Sequence, residues 1–497
     1  MFHAIKRLSG QTLTYGVGTV LTRLVAFLLV PVFTHQLNPT QYGVYSLYYV
    51  AIAVAMEIVR LGLDISLLRY YVPEKDIQKR KAVFSTVFWS SLVFSTAIFA
   101  LLWIEPHFWV RMFVGSAEPL PVDFIGPPQE FPAWMVYTLR LCAGIIWLDN
   151  MSAFPMVVMR GESQAIRFTT IRMIGAISQV LFTVLFLIPL QRGLTGIFEA
   201  NLLSSALILI FCIPTIISRL KPVLNHAVLK ACIIFGLPNV PNSIFVVAIE
   251  LSDRKILGLL RNSAEVGLYS AGYRLGMFLG IVATGFRFAW QPFFLQISDQ
   301  PDAKDVYSRV LTYYLAVVLW LYLMLTAFVE PLATWSIPGI GPLIDPEFWP
   351  GLAIFPVVLL AHVFNGMYAV FMVGVYLEKK IHVLPLINGG VAAFNIGGNL
   401  LLVPYFGMWA AAWLTVASYL AMAVILYLYI NRHYPIKYEW GRVLHLMIIA
   451  AITFGIGAYA KRFGMDWVGY MLSLLFPLLL LATGLATPGE KARLRFK

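Results

Sequence analysis

Charged residues are scarce in this sequence. Only 12% of its 497 residues are Asp, Glu, Lys or Arg, whereas 60% are hydrophobic. Soluble domains typically carry about 25% charged residues, so a chain of this length with half that fraction meets lipid over most of its surface. The composition excludes an ordinary soluble protein and predicts an all-α polytopic membrane protein.

Cysteine and the common catalytic motifs are nearly absent as well. The three cysteines, Cys142, Cys212 and Cys232, form no CxxC pair and suggest no disulfide framework. The sequence contains neither a GxxxxGK(S/T) phosphate-binding loop nor an HExxH zinc motif. We therefore expect no nucleotide hydrolysis by a P-loop, no metal site and no cofactor, and we expect a secondary transporter rather than an enzyme.

One enzymatic alternative stays open. The segment 105–132 contains the acidic residues Glu118, Asp123 and Glu130. Carboxylates in a loop outside the membrane can act as general acids or bases, so a membrane-embedded glycosyltransferase is compatible with this segment.

Long apolar runs alternate with short polar segments along the whole chain. A membrane-spanning helix needs roughly 20 predominantly apolar residues, and about fourteen segments meet this requirement. The predicted spans are residues 11–33, 41–64, 82–104, 133–159, 164–188, 194–217, 226–250, 266–290, 306–329, 351–376, 381–404, 408–430, 443–460 and 467–486.

Basic residues concentrate in alternate loops of this arrangement. The richest loop is 69–81, "RYYVPEKDIQKRK". Because loops that stay in the cytoplasm carry an excess of Lys and Arg, we expect both termini on the cytoplasmic side of the inner membrane. Topology and contact with anionic lipid headgroups then account for the net charge of +12. No nucleic-acid partner is expected.

A short motif occurs twice in the sequence. The stretch "NPTQYGVYSLYYV", which begins at Asn38, recurs 224 residues later as "NSAEVGLYSAGYRL" from Asn262. Further matches follow in the same order, among them Glu105-Pro106 with Glu330-Pro331 and Glu162 with Glu378. Self-similarity in a fixed order predicts a duplicated structural unit.

The duplication predicts two homologous lobes of six helices each. The expected domains are an N-lobe at 1–222, a C-lobe at 223–432, and two appended helices with a cytoplasmic tail at 433–497. Six helices separate the copies, so both lobes have the same orientation in the membrane. Two such lobes around a central cavity are an architecture for alternating access. A duplicated structural or channel protein is the alternative, because fold does not dictate function.

Several ionisable residues lie within the predicted spans of the first lobe. Charges at membrane depth are costly in free energy and mark candidate sites. Predicted helix 1 carries Arg23. Predicted helix 2 has a polar face of about 120° of arc, which is formed by Tyr45, Tyr49, Glu57, Arg60 and Asp64. The spacing of Glu57, Arg60 and Asp64 also permits a ladder of ion pairs along one helix, which is the alternative to a cavity-lining face.

The second lobe carries a comparable set. Predicted helix 7 ends in "IELSDRK", which contains Glu250, Asp253 and Arg254, and its opening "GLPNVPNS" predicts an irregular start because each proline removes a helix hydrogen bond. Predicted helix 8 carries Arg274 and Arg287, and its glycines at 272, 276 and 280 predict a helix-packing face. The remaining charges are Arg140, Asp149, Arg172 and Glu199, of which the two arginines can equally be interfacial anchors.

Arginines from both lobes favour an anionic substrate. A guanidinium stays charged and binds phosphate oxygens with two parallel hydrogen bonds, so phosphate or diphosphate is the expected group. We include Tyr49 and Tyr273 in the predicted substrate-binding set. The acidic residues Glu57, Asp64, Glu250 and Asp253 are candidate sites for a coupling H⁺ or Na⁺, or counter-ions to the arginines.

The same residues carry a resemblance to a known family. The start "LSGQTLTYGVGTVLTRLVAFLLVPVFTHQLNPTQYGVYSLYYV" resembles the polysaccharide transporter branch, which includes the Wzx-type O-antigen flippases, of the multidrug/oligosaccharidyl-lipid/polysaccharide (MOP, MATE-like) exporter superfamily. The segment "LPNVPNSIFVVAIELSDRKILGLLRNSAEVGLYSAGYRL" looks like the second repeat of that family. The resemblance covers nearly the whole chain.

The resemblance implies a flippase that moves polyprenyl-diphosphate-linked oligosaccharide from the inner to the outer leaflet, for cell-surface polysaccharide biosynthesis. It also implies a cavity lined by cationic residues, which in this sequence are Arg23, Arg60 and Arg274, with Arg254 and Arg287 as further members. The expected partners are the lipid-linked oligosaccharide, membrane lipids and other polysaccharide-assembly proteins. A lipid II-type flippase, which the two appended helices permit, and a MATE-type multidrug exporter are the alternatives.

Overall fold

The computed structural model describes residues 25, 27–115, 131–337, 341–378 and 380–484, and almost all of them are helical. Twelve helices within these residues are long and apolar enough to cross a membrane, and a shorter apolar helix follows them. The thirteen match predicted helices 2 to 14, which confirms the all-α polytopic membrane fold. Of predicted helix 1 only the end is described, and Arg23 lies outside the described residues, as do Glu118, Asp123 and Glu130.

The described residues form eighteen α-helices. They are α1 Leu29–Gln36, α2 Pro39–Arg60, α3 Leu63–Tyr71, α4 Ile77–Ile104, α5 Pro106–Phe113, α6 Ala133–Gly161, α7 Ala165–Leu187, α8 Gly193–Arg219, α9 His226–Gly236, α10 Val240–Leu260, α11 Ser263–Ile297, α12 Ala303–Thr334, α13 Trp349–Leu352, α14 Phe355–Leu377, α15 Leu384–Phe406, α16 Met408–Asn431, α17 Trp440–Lys461 and α18 Asp466–Ala482. Short 3-10 turns stand at Leu237–Asn239, Pro346–Phe348 and Ile381–Val383, and a two-stranded antiparallel hairpin joins β1 Ser336–Ile337 to β2 Gly341–Pro342.

The duplicated motif begins a helix in both of its copies. Before α2, the Asn38 side chain accepts a hydrogen bond from the Gln41 backbone N–H at 2.9 Å, and the Gln41 side chain accepts one from the Asn38 N–H at 3.2 Å. Before α11, Asn262 accepts from the Glu265 N–H at 2.7 Å. Such caps satisfy backbone donors that a helix start leaves unpaired. The repeated asparagine is therefore explained by helix capping.

The chain breaks where predicted helix 2 was expected to continue. Leu61 and Gly62 both have positive φ, at 51° and 66°, and they separate α2 from α3. Helix then continues to Tyr71, so the expected loop 69–81 was wrong: only residues 72–76 are non-helical. A single glycine in an apolar run does not predict a helix break, because this break is caused by packing against a neighbouring helix.

Predicted helix 7 is interrupted and also longer than expected. Its proline-containing 3-10 turn at Leu237–Asn239 confirms the predicted irregularity, but α10 continues to Leu260, so the expected end near residue 250 was wrong. The turn follows Gly236, whose Cα and carbonyl lie against Gly62, and a Cβ on either glycine would overlap the other backbone. The Ser66 hydroxyl also donates to the Cys232 carbonyl at 2.7 Å. The two interruptions therefore lie side by side.

The chain forms two compact units. The first comprises Met1–Arg274 with His382–Ser418, and the second comprises Leu275–Ile381 with Tyr419–Lys497. In the first unit, the core where α3, α4, α6 and α9 meet is built around Leu67, Phe84, Phe154 and Cys232. In the second unit, Gly276 packs against Val358 and Gly280 against His362, which confirms the predicted packing face on α11 at those two glycines. The predicted lobes at 1–222, 223–432 and 433–497 remain a prediction.

Candidate functional site

A polar cavity of about 370 Å³ lies inside the first unit, between the α2–α3 break and helices α6, α7 and α8. Its charged lining consists of three arginines and two aspartates: Arg60, Arg160, Arg172, Asp64 and Asp149. The other polar lining groups are amides and hydroxyls, namely Ser152, Gln179, Asn201, Ser204 and Ser205. Two predicted site residues, Arg60 and Asp64, are therefore brought together with charges from two other helices, α6 and α7.

The arginines of the cavity differ in their surroundings. Arg60 Nη1 lies 3.6 Å from Glu57 Oε1, one turn away on α2, while its buried Nε has no hydrogen-bond partner among the described residues. The guanidinium carbons of Arg160 and Arg172 each lie 5.9 Å from the centre of the Phe168 ring. Both of these side chains are exposed. The cavity thus presents guanidinium groups that a bound anion can reach.

The predicted ladder of ion pairs on helix 2 forms in only one of its two steps. The Glu57–Arg60 pair is present, but no ion pair within 4 Å joins Arg60 to Asp64, and both residues are described. The reason is the break at Leu61–Gly62, because the left-handed residues rotate Asp64 out of the face that an unbroken helix would give it. Asp64 is consequently a cavity residue.

Arg274 lies outside this cavity, in a cluster of aromatic side chains. Its Nη2 donates to the Tyr45 hydroxyl at 2.8 Å and its Nη1 to the Tyr42 hydroxyl at 3.4 Å, and its guanidinium lies 5.6 Å from the Phe33 ring centre. Tyr42 and Tyr45 belong to α2, whereas Arg274 belongs to α11. The arginine that replaces Val50 of the first repeat therefore joins the two helices that begin with the duplicated motif.

These helices touch through equivalent glycines. A Cβ on Gly43 would overlap the Ser263 carbonyl, and a Cβ on Gly267 would overlap the Pro39 carbonyl. Each contact is the image of the other in the duplicated numbering, since 224 residues separate Gly43 from Gly267 and Pro39 from Ser263. The backbones of α2 and α11 thus meet around a local two-fold axis. We call this end of the first unit, where both helices begin, the hinge end.

The cavity and the hinge end are connected through Tyr49. Asn201, which lines the cavity, donates to the Tyr49 hydroxyl at 2.6 Å. The Tyr49 and Tyr45 ring centres are 4.7 Å apart, and Tyr45 accepts from Arg274. The predicted substrate residue Tyr49 therefore lies between the cavity and the Arg274 contact.

The remaining predicted residues of the first unit form an enclosed group. Asp253 is fully buried and accepts a hydrogen bond from the Tyr269 hydroxyl, and its carboxylate lies 3.3 Å from Arg254. Arg254 also donates to the Glu250 carbonyl at 2.8 Å and lies 4.3 Å from the centre of the Tyr273 ring. None of these residues lines the polar cavity. Their predicted roles in substrate binding and ion coupling stay predictions.

Arg287 belongs to the second unit. Its side chain is exposed and donates to Asn365 Oδ1 at 3.3 Å.

Of the residues that line the cavity, Arg160 was missed from the sequence because it follows the expected end of predicted helix 4. Asp149 and Arg172 were recognised from the sequence as intramembrane charges, and both line the cavity in the structure.

A second cluster of charge closes the opposite end of the first unit. The Glu162 carboxylate accepts hydrogen bonds from the Tyr71 hydroxyl at 2.6 Å and from Arg219 Nε at 3.1 Å. Burial by itself raises the pKa of Glu162, but the hydrogen bonds from Arg219 and Tyr71 outweigh burial and hold the pKa below its usual value. The ends of α3, α6 and α8 are joined at this carboxylate.

Replacing Glu162 by Gln should lower the melting temperature of the purified protein, because Arg219 loses its charged partner; a charged hydrogen bond contributes about 1.5–3 kcal/mol. The folded-state pKa is depressed, so this stability is fully present above the unfolded pKa of about 4.3 and is lost as pH falls through the folded pKa. The difference between wild type and E162Q should therefore stay nearly constant from pH 7 to about pH 5 and shrink as the pH falls below about 4.3. E378Q is the control, since Glu378 is the exposed counterpart in the repeat; an equal fall in E378Q would contradict the assignment.

Comparison with known proteins adds the family. The sequence matches the family described as "Polysaccharide biosynthesis protein" over residues 10–298, which is more than half of the chain. The chain belongs to this family. The match confirms the predicted resemblance to the polysaccharide branch of the superfamily. A search of curated proteins gave no match.

Several solved structures of other proteins share the fold of this polysaccharide biosynthesis protein. Lipid II flippase MurJ in an inward closed conformation has a TM-score of 0.70 at 12% identity, covering 94% of this chain and 99% of that one. An inward-facing multidrug resistance MATE family transporter of the MOP superfamily has a TM-score of 0.68 at 12% identity, covering 83% and 97%. A MOP superfamily transporter from Pyrococcus furiosus, whose binding pocket is described as reversed in polarity, has a TM-score of 0.55 at 15% identity, covering 86% and 95%. At 15% identity or less these likenesses show the fold alone, which this chain shares with a lipid II flippase and with membrane transporters.

Proposed function

We propose that this protein flips a polyprenyl-diphosphate-linked oligosaccharide from the inner to the outer leaflet of the cytoplasmic membrane by alternating access, for cell-surface polysaccharide biosynthesis. The observation that carries the proposal is the cavity with Arg60, Arg160 and Arg172 on its wall. Three guanidinium groups on one cavity suit a diphosphate, because each can bind two oxygens at once. The family supports the polysaccharide context.

The proposed cycle uses the hinge end as one gate. With α2 and α11 in backbone contact at Gly43 and Gly267, that end is closed. The basic loops at the other end face the cytoplasm in the proposed orientation, with both termini on that side. The diphosphate enters the cavity from the cytoplasmic side, and separation of α2 from α11 opens the path to the outer leaflet. A coupling H⁺ or Na⁺ at Glu57, Asp64, Glu250 or Asp253 is part of the proposal.

A lipid II-type flippase is a second candidate for the substrate. It is favoured by the shared fold with lipid II flippase MurJ over 94% of this chain. The two candidates share the diphosphate and differ in the attached glycan. Mass spectrometry of a deletion strain distinguishes them, because the accumulating lipid carries either surface-polysaccharide sugars or a peptidoglycan precursor. Accumulation of neither would contradict both candidates. A MATE-type exporter of organic cations is disfavoured by the three arginines.

The cavity arginines are tested by anion binding. R60Q and R172Q should each weaken binding of inorganic pyrophosphate to the purified full-length protein about tenfold or more, because each removes a charged hydrogen bond of about 1.5–3 kcal/mol. Calorimetric titration measures the affinity, and glycolipid accumulation in cells that carry each variant measures transport. R167Q is the matched control, since Arg167 is an exposed arginine on the same helix as Arg172 that does not line the cavity. Unchanged pyrophosphate binding in both R60Q and R172Q would overturn the proposal.

A further inference from the structure

The cavity of the first unit has two kinds of wall. Arg60, Arg160 and Arg172 suit an anion, whereas Asp64 and Asp149 repel one. A site that held only a diphosphate would gain nothing from two carboxylates on the same cavity of about 370 Å³. The carboxylates therefore either balance the arginines or bind a different part of the ligand.

Charge balance accounts for part of the environment of Asp149, because Arg60 and Arg172 attract its carboxylate. Arg60 already has Glu57 at 3.6 Å, and Glu57 lies outside the cavity lining. No ion pair within 4 Å joins Asp149 to a cationic side chain in the part of the chain that the structure describes. Asp149 instead sits beside Ser205 and shares the cavity with Asn201 and Ser204. An ionised carboxylate only accepts hydrogen bonds. Ser205 supplies one donor to Asp149, and its remaining acceptor positions require others.

Sugars supply such donors. Neighbouring hydroxyl groups of a hexose, or the N–H of an amino sugar, can donate to a carboxylate, and the adjacent amide and hydroxyl side chains can complete the pattern. A sugar acid brings a carboxylate of its own, which Asp149 repels in a low-dielectric cavity. The part of the cavity around Asp149 thus combines attraction for one class of sugar with repulsion of another.

We propose that Asp149 is a specificity-determining residue, which accepts hydrogen bonds from the sugar attached to the diphosphate and excludes a sugar acid at that position. The substrate class is then a lipid diphosphate whose first sugar is neutral or amino-substituted. The inference rests on the proposed function, because it takes the diphosphate to be held by Arg60 and Arg172.

The test uses full-length protein in lipid nanodiscs and three probes: inorganic pyrophosphate, farnesyl-diphospho-N-acetylglucosamine and farnesyl-diphospho-glucuronic acid. Wild type should bind the N-acetylglucosamine probe at least tenfold more tightly than the glucuronic acid probe. D149N should reduce this ratio to threefold or less, mainly by tightening the glucuronic acid probe. D149E keeps the charge and should keep the preference. E378Q should also keep it, since Glu378 is exposed and does not line the cavity.

The outcomes separate this inference from the proposed function. If D149N tightens all three probes equally, Asp149 is only a counter-ion and the inference is overturned, while the diphosphate site stands. Equal binding of both sugar probes to wild type also overturns it. If pyrophosphate binding does not depend on Arg60 and Arg172, the proposed function itself fails. Melting temperatures identify a misfolded D149N protein, and D149S then takes its place in the comparison.

Discussion

Replacing Gly43 by Ala should reduce transport at least tenfold while leaving the protein in the membrane. The added Cβ would overlap the Ser263 carbonyl, so α2 and α11 could no longer approach to backbone contact. Alanine in place of a helical glycine usually stabilises by about 0.5–1 kcal/mol, so a loss of function here runs against the intrinsic preference of the helix. Accumulation of lipid-linked glycan in cells carrying the variant measures the effect.

The local two-fold axis makes this prediction sharper. G267A should have an effect of similar size, because its Cβ would overlap the Pro39 carbonyl in the equivalent place. The matched controls are G390A and G455A, two helical glycines at which a Cβ would meet nothing within 4 Å. Both controls should transport normally. Normal transport in G43A and G267A would show that the hinge end need not close in the cycle.

The second large effect is expected at Asp253. Replacing it by Asn leaves Arg254, whose side chain is 8% exposed, without its charged partner. Breaking a buried ion pair from one side costs about 3–5 kcal/mol, so D253N should show the largest fall in melting temperature among the variants described. R254Q should fall comparably, because it leaves Asp253 buried and charged. The double variant D253N/R254Q should fall by less than the sum of the two.

That cycle also separates stability from ion coupling. If Asp253 only balances Arg254, the melting temperature of wild type should not depend on Na⁺ at constant ionic strength, and additivity in the cycle would contradict even this structural role. If Asp253 holds a coupling Na⁺, added Na⁺ should stabilise wild type and leave D253N unchanged. The first case predicts no response of wild type to Na⁺ and the second predicts a rise in its melting temperature, so one measurement decides between them.

Much of the fold was accessible from the sequence because it depends on periodicity and composition. Apolar runs of membrane length located the spans. The structure adds that Asn38 and Asn262 cap two equivalent helix starts, which is a local interaction. The duplication itself was visible as matching residues. The reciprocal contact of Gly43 with Gly267 shows what those residues do together, and that required coordinates.

The candidate site was predicted only in part. Arg60 lines a cavity in the structure, whereas Arg274, which was expected beside it, lies against Tyr42 and Tyr45. Their predicted roles in substrate binding stay predictions. Sequence reasoning treats every intramembrane arginine alike, because spacing along one helix does not say which neighbouring helix it faces. Arg160 was missed for a related reason. It lies just after the predicted end of its membrane span, but its side chain still lines the cavity.

The sequence by itself determined that this chain is a helical membrane protein with a duplicated core. Its similarity to a polysaccharide-biosynthesis family was also visible in the sequence. Those properties follow from composition, local capping and similarity, which act over short stretches of chain. Only the tertiary structure decided where the helices break and which charges share a cavity. Gly62 breaks its helix against Gly236, 174 residues away, and Asp149 meets Arg60 and Arg172 across three helices. Both depend on packing between distant segments, which no local pattern encodes.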